Sequence, residues 1–429
     1  MPKLICPACD QRFNLTDNRV VCDCGGLLNL VQPLEKLKKQ NLKEIFDSRL
    51  GARELPDASG VWRYRELLFP VEKIMSRGEG NTRLYPAPQI SVELDVEVLF
   101  KHEGENPSGS FKDRGMTAAI SAGANIGCRN FVCASTGNTS ASLASYCAAN
   151  DLNGIVIIPE GKIAFGKLSQ ALAFGAKVLQ VEGDFDAAMQ LVNELGRRFN
   201  PENPSESVYV LNSVNPFRIE GQKTIVLEIL QQLAWEAPDW IVLPAGNLGN
   251  TSAFGKAISE AFDLGLIDKK PRLAAVQATG ANPFFNYFKS GWEKFESVEN
   301  PETIATAIKI GNPQSFLRAK RSIETTNGIV LEATEDEILD AKATIDAAGI
   351  GCEPASACSL AGIRQLVKSG EIKPGQKIVG VLTGHLLKDP DTTVNYHSGR
   401  LAVSNAARVN RPQKIEADLD AIFKAIGRE

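Results

Sequence analysis

The sequence has no excess of positive charge. Its 47 lysines and arginines stand against 51 aspartates and glutamates over 429 residues, a net charge of −4 with histidine neutral. That balance leaves no electrostatic footprint for nucleic acid or an anionic membrane surface. No apolar run approaches the length of a membrane span. The opening stretch MPKLICPACDQRF has neither an apolar signal core nor an Arg- and Ser-rich transit pattern. A cytoplasmic protein with no nucleic-acid and no membrane partner is the expectation. There is no internal repeat and no long low-complexity linker. The cysteines number nine, so they cannot all pair within the chain.

Five of those cysteines (Cys128, Cys133, Cys147, Cys352 and Cys358) lie in apolar or small-residue runs, where reduced, buried thiols behave as small hydrophobes. The other four form Cys6-x2-Cys9 and Cys22-x-Cys24-Gly-Gly in a ribbon-like segment, residues 1–32. Two such pairs on turns can place four thiolates around one Zn²⁺. The second pair is one residue shorter than the usual spacing, so a zinc site on Cys6, Cys9, Cys22 and Cys24 and a degenerate ribbon with reduced cysteines both fit. The neighbourhood is not basic enough for a nucleic-acid ribbon.

At this length the chain exceeds a single core, and two α/β domains are expected. From about residue 90, β-branched runs (VEVLFKHE, NFVCAS, GIVIIPEG, WIVLPAG, RLAAVQATG, KIVGVLTGH) alternate with helical periods. That alternation argues for parallel sheets covered by helices on both faces. Thr334 and Glu337 form a capping-box pattern at one helix start. The segment 280–325 is aromatic-rich and broken by Gly and Pro; a substrate lid, a dimer contact and an ordinary helical excursion all fit it.

In such sheets ligands bind beyond the carboxyl ends of the strands, and small polar turns fall there. PAGNLGNTSAF opens directly into a helix, so free backbone N–H groups and the helix dipole favour an anion such as phosphate. It is neither a Walker A loop nor a dinucleotide fingerprint. ASTGNTSAS is a second turn of the same type, suited to a carboxylate or a phosphate. Lys112, in ENPSGSFKDRGM, also follows a small-residue loop at a helix start. If desolvated beside the dipole's positive end, its amine loses its proton more easily and becomes a nucleophile or base. A solvated lysine paired with Asp113 is the competing reading. A non-catalytic α/β module that binds an anionic metabolite would carry the two cups alone.

A reactive lysine with two anion cups is what pyridoxal phosphate requires. ENPSGSFKDRGM, STGN, NSVNPFRIEGQKT, PAGNLGN and LTGHLLKDP, with GVWRYRELL before them, resemble threonine synthase, of the tryptophan-synthase-β-like (fold type II) pyridoxal phosphate enzymes. The resemblance implies two three-layer α/β domains after the zinc-ribbon-like segment: a large one from residues 33–95 and 215–429, and a small one from 96–214, with the cofactor pyridoxal 5'-phosphate in the cleft. It implies that Lys112 holds the cofactor covalently and moves protons. Asn138 would meet the phenolic oxygen, Gly246, Asn247, Leu248, Gly249 and Asn250 the phosphate, and Thr383 the pyridine nitrogen. Ser135 and Thr136 match positions that hold the substrate, and Asn212, Ser213 and Arg218 positions that recognise its phosphate. Arg218 has a warrant of its own, since a planar guanidinium suits bidentate phosphate binding.

The implied substrate is O-phospho-L-homoserine, converted with water to L-threonine and phosphate by γ-elimination and β-addition. The resemblance also implies that the departing phosphate serves as an acid and base, which suits a chain with only three histidines (His102, His385, His397). Serine or threonine dehydratases share the fold but have a triple-glycine phosphate loop. Cysteate synthase, acting on phosphoserine, would keep the same phosphate pocket. A homodimer is the family expectation.

Overall fold

The computed structural model describes residues 2–161, 165–404 and 406–427. Its first element is a small antiparallel sheet of β1 (Lys3–Ile5), β2 (Arg12–Phe13) and β3 (Asn29–Val31), in the order β2-β1-β3. Next come β4 (Leu84–Pro86) and β5 (Glu97–His102). Then β6 (Asn130–Ala134), β7 (Asn153–Pro159), β8 (Lys177–Val181) and β9 (Val208–Val210) pair in parallel in the order β8-β7-β6-β9. Finally β10 (Trp240–Pro244), β11 (Arg272–Ala278), β12 (Ile329–Ala333) and β13 (Lys377–Leu382) complete the large sheet, β12-β11-β10-β13-β5-β4. Every pair in it is parallel except β4 with β5.

The apolar runs explain the layering. All five residues of β10 are buried, which requires cover on both faces of the sheet. The helix Pro354–Lys368 supplies Leu360, Ala361 and Ile363 to the core on one face. On the other, Ile241 and Leu243 pack with Ile225 and Ile229 of the helix Pro216–Gln232 and with Phe254 and Ile258 of the helix Gly249–Asp263. The capping box at Thr334 is formed in both directions. The five cysteines in apolar runs are buried free thiols.

One assignment is corrected. The strand Glu97–His102, expected in the small domain, lies in the large sheet, in register with Lys377–Leu382. Among the described residues the small sheet begins only at Asn130. The physical reason is non-local pairing. Val98, Leu99 and Phe100 are buried as any doubly covered strand would be, and nothing in the run itself names a partner so distant in sequence. The aromatic segment 280–325 packs on the large core, with Phe295 stacked on Phe316 at 4.1 Å and Tyr287 edge-on to Trp292 at 5.0 Å.

The helix Lys112–Asn125 is fixed in two ways. It lies so close to the helix Pro216–Gln232 that a Cβ at Gly221 would overlap the Arg114 carbonyl. Below its first turn is a buried charge network. Arg114 Nε donates to Glu103 at 2.7 Å and Nη2 to Glu228 at 2.8 Å, while Lys101 and Arg63 also reach Glu228, at 2.7 and 2.9 Å. Removing one partner from such a network leaves a buried charge uncompensated, at about 3–5 kcal/mol.

Candidate active site

The lysine loop is joined to the turn after β13 by its backbone. Phe111 N donates to Thr383 O at 3.0 Å, and His385 N to Gly109 O at 3.0 Å. Gly109 has φ +86°, a left-handed conformation that favours glycine. Asp113 is not paired with Lys112. It accepts from Ser108 N and Oγ, each at 2.6 Å, and from Ser142 Oγ at 2.5 Å. Lys112 Nζ lies over the Phe111 ring, 4.5 Å from its centroid. Desolvation, then the positive charge of Arg218, push its amine down to about 7, against an opposing pull from Glu353. The reading of Lys112 as a solvated surface charge is therefore set aside.

The turn after β10 passes through Leu248, at φ +63°, into the helix that begins at Gly249. Asn250 is buried with neither amide atom partnered, and the buried Thr251 hydroxyl is also unpartnered. Gln222 Oε1, likewise unpartnered, lies 3.5 Å from where a Cβ of Gly249 would be. Asn247 is engaged, donating to Ser213 Oγ at 2.8 Å and accepting from Gln314 N at 2.8 Å. A Cβ at Gly246 would lie 3.0 Å from Ile308 Cα, so the turn is pressed against the core behind it.

Arg218 is buried beside these elements. Its Nη1 donates to Leu211 O at 2.9 Å, and among the described residues its Nε has no partner and no carboxylate pairs with it. Burial pushes it down to about 10. Asn212 has a different place: its amide donates to Ala134 O and accepts from Ala134 N, both at 3.1 Å, extending the pairing between β6 and β9. Ser135 Oγ accepts from Gly137 N at 3.3 Å within the STGN turn, where Thr136 is half-buried. Asn138 Nδ2 donates to both carboxyl oxygens of Glu353, at 3.3 and 3.1 Å. Thr383 Oγ1 lies 3.1 Å from Ser356 Oγ and donates to Glu353 Oε1 at 3.4 Å.

Two further side chains lie close by; Glu353 carried no motif that sequence reasoning could use, while Lys388 belongs to the LTGHLLKDP stretch. Glu353 follows a glycine-rich turn and precedes Pro354, an ordinary helix start. Lys388 donates to Gln170, and burial lowers its pKa. His385 caps its own turn, with Nδ1 accepting from Leu387 N at 3.1 Å.

These donors fit a phosphorylated carbonyl cofactor. A buried, unpartnered amide and hydroxyl lie in the first turn of one helix, and a lysine able to lose its proton near neutrality begins another. The family model described as pyridoxal-phosphate dependent enzyme matches residues 75–384. The fold and the family match are those of a pyridoxal-phosphate dependent enzyme.

Within that class the similarities narrow. The chain is 42% identical over 426 residues, 98% of each chain, to the threonine synthase of Methanocaldococcus jannaschii. It is 40% identical to that of Methanosarcina acetivorans, over 99% of both chains. It is 37% identical to threonine synthase 2, chloroplastic, of Arabidopsis thaliana, over 98% of this chain and 83% of the relative. The crystal structure of threonine synthase from Escherichia coli aligns over 99% of both chains with a TM-score of 0.68 at 17% identity, a likeness of fold. The chain belongs to the threonine synthase family.

Proposed function

We propose that the protein converts O-phospho-L-homoserine and water to L-threonine and phosphate, with pyridoxal phosphate held at Lys112. The cofactor's phosphate would be received by the turn Gly246–Asn250 with Thr251, its ring by Asn138 and Thr383. When bound, the cofactor supplies an electron sink that makes the protons next to the substrate amine acidic. The chain's own part follows from the site. Lys112, with its pKa brought down to about 7, has a substantial free-amine fraction at neutral pH and can take and return a proton at the α-carbon. The lysine loop, bonded to the turn after β13, holds it half-buried.

The observation that carries the substrate assignment is Arg218. A buried guanidinium with no carboxylate partner and an unpartnered Nε is costly unless an anion completes it. It acts electrostatically on Lys112, and the turn Gly246–Asn250 supplies backbone and amide donors of its own for the cofactor phosphate, so Arg218 is suited to a second phosphate, on the substrate. A dehydratase acting on serine or threonine has no use for that group. Ser213 would assist, and Ser135 and Thr136 would hold the substrate's carboxylate.

The test is product analysis of the cofactor-loaded protein given O-phospho-L-homoserine, with O-phospho-L-serine plus sulfite in a parallel tube. Equal amounts of phosphate and threonine in the first tube are expected. Cysteate from the second tube with no turnover in the first would refute the assignment and leave the cofactor site standing.

The ribbon is proposed to hold a structural zinc ion. The sulfurs of Cys6, Cys9, Cys22 and Cys24 lie within 4.8 Å of one another, with Cys6–Cys24 at 3.5 Å, Cys9–Cys24 at 3.5 Å and Cys9–Cys22 at 3.6 Å. A tetrahedron with Zn–S bonds of about 2.3 Å has edges of about 3.8 Å. Gly26 keeps the knuckle open, since a Cβ there would lie 2.6 Å from Cys6 Sγ. Metal analysis of protein purified without chelator tests this. A homodimer is proposed as the working assembly, tested by light scattering on the eluting protein.

A further inference from the structure

Glu353 is a buried carboxyl that the proposed chemistry leaves without a role. It is 4% exposed and occupies the N-cap position of the helix Pro354–Lys368, but its carboxyl makes no capping bond to that helix. Its backbone N donates to Gly384 O at 3.1 Å, and a Cβ at Gly384 would overlap the carboxyl group. The absence of a side chain at 384 thus makes the space that the carboxyl fills. Its hydrogen-bond partners are Asn138 and Thr383, the two side chains expected to meet the cofactor ring. Burying a carboxyl is costly, and the same packing could be had from an apolar side chain.

We propose that Glu353 is a positioning residue for the cofactor ring, fixing which way the Asn138 amide and the Thr383 hydroxyl turn. The inference rests on the pyridoxal phosphate reading above. An amide facing a carboxylate must present its nitrogen, because the carboxylate only accepts. One N–H of Asn138 is then taken by Glu353 and the second is free for the ring's phenolic oxygen. At Thr383 the carboxyl acts as a selector. Ionised, it takes the hydroxyl hydrogen and leaves Thr383 only lone pairs to offer. Protonated, it can donate to Thr383 and release that hydrogen toward the ring nitrogen.

Burial raises the Glu353 pKa, against the pull of Asn138, Lys388, Lys112 and Thr383. The charged groups around it are Lys112 from the lysine helix and Lys388 from the turn after β13, with Asp113 acting on Lys388 from behind. Cys352, beside it in sequence, is held protonated by burial. The direction of that shift is toward the protonated form, in which one carboxyl oxygen still accepts from Asn138 while the other can donate to Thr383.

The experiment titrates cofactor-free protein with pyridoxal phosphate and follows the bound cofactor's visible absorption band across pH. Wild type, E353Q and G384A are compared. E353Q removes the proton selector with little change of shape, and G384A displaces the carboxyl without removing it. Both are expected to bind the cofactor roughly tenfold more weakly and to move the midpoint of the band's pH dependence. In a T383V background, E353Q should move that midpoint no further. Wild-type affinity and a wild-type band in either folded variant would overturn the proposal. If E353Q does not fold, G384A and its combination with T383V decide by the same readouts. A wild-type protein that takes up no pyridoxal phosphate would instead overturn the cofactor reading on which the proposal rests.

Discussion

Replacing Arg218 by methionine should make the protein more stable and nearly inactive. Burial lowers Arg218 from its ordinary value to about 10, which corresponds to about 3 kcal/mol against the charged form in the folded state. At neutral pH the side chain is cationic in both the folded and the unfolded chain. The penalty is therefore constant there and is relieved only as pH rises through the folded value toward the unfolded one. Methionine removes the penalty and fills a similar volume. It also removes the bond to Leu211 O, at about 1 kcal/mol. The net gain is about 2 kcal/mol, read as a higher urea midpoint for the cofactor-free protein. Activity moves the other way. A substrate phosphate that loses a buried, charge-assisted partner loses about 2–5 kcal/mol of binding in the transition state, roughly a 30- to 5,000-fold fall in kcat/KM. R218K keeps the charge but not the planar fork and should fall between. A destabilised R218M with unchanged kcat/KM would refute both the unpaired charge and its role.

Three further outcomes follow from the geometry. In cofactor-free protein Lys112 should react with an amine-directed reagent with a midpoint near pH 7, and R218M should raise that midpoint, because Arg218 is one of the two causes of the depression. The stability cost of charging Lys112 is fully present below about 7 and is relieved as pH rises toward its ordinary 10.5. G221A should force the lysine helix away from the helix Pro216–Gln232, costing about 1–3 kcal/mol or more in a denaturant titration, and kcat should fall with it because Lys112 moves. Chelation, or C22S, should release one zinc per chain and open residues 1–32 to protease; the ribbon's remaining ties include Lys256 Nζ to Leu30 O and Arg318 to Leu28 O.

Much of the architecture was legible because it depends on local signals. The strands ending at Ala134, Pro244 and Leu382 are β-branched or apolar runs followed by small polar turns, and period and turn chemistry suffice to find them. Lys112 could be singled out by its position after a small-residue loop. Its competing partner could not be judged, because Asp113 is claimed by Ser142, a residue remote in sequence. The pairing of Glu97–His102 with Lys377–Leu382 was not legible for the same reason. Asn212 shows the limit from the other side: its position matches a phosphate-recognising residue, yet its amide bridges two strands of the small sheet. Glu353 carried no motif, since its environment is assembled from Asn138, Thr383 and Gly384, three residues on two other segments.

The place of β13 in the large sheet bears on how the chain is made. It lies between β10 and β5, although it is the last strand to be synthesised. The small sheet draws its strands from one continuous stretch, 130–210, and can be completed while translation continues. The large sheet cannot. Until residue 382 has left the ribosome, β5 and β10 have no neighbour to join them, and their edges stay unpaired. A nascent chain stalled before β13 therefore holds a finished small sheet and a divided large one. The turn carrying Thr383, proposed above to meet the cofactor ring, arrives with the strand that closes the fold, so on that proposal a catalytically complete pocket cannot precede a fully closed core.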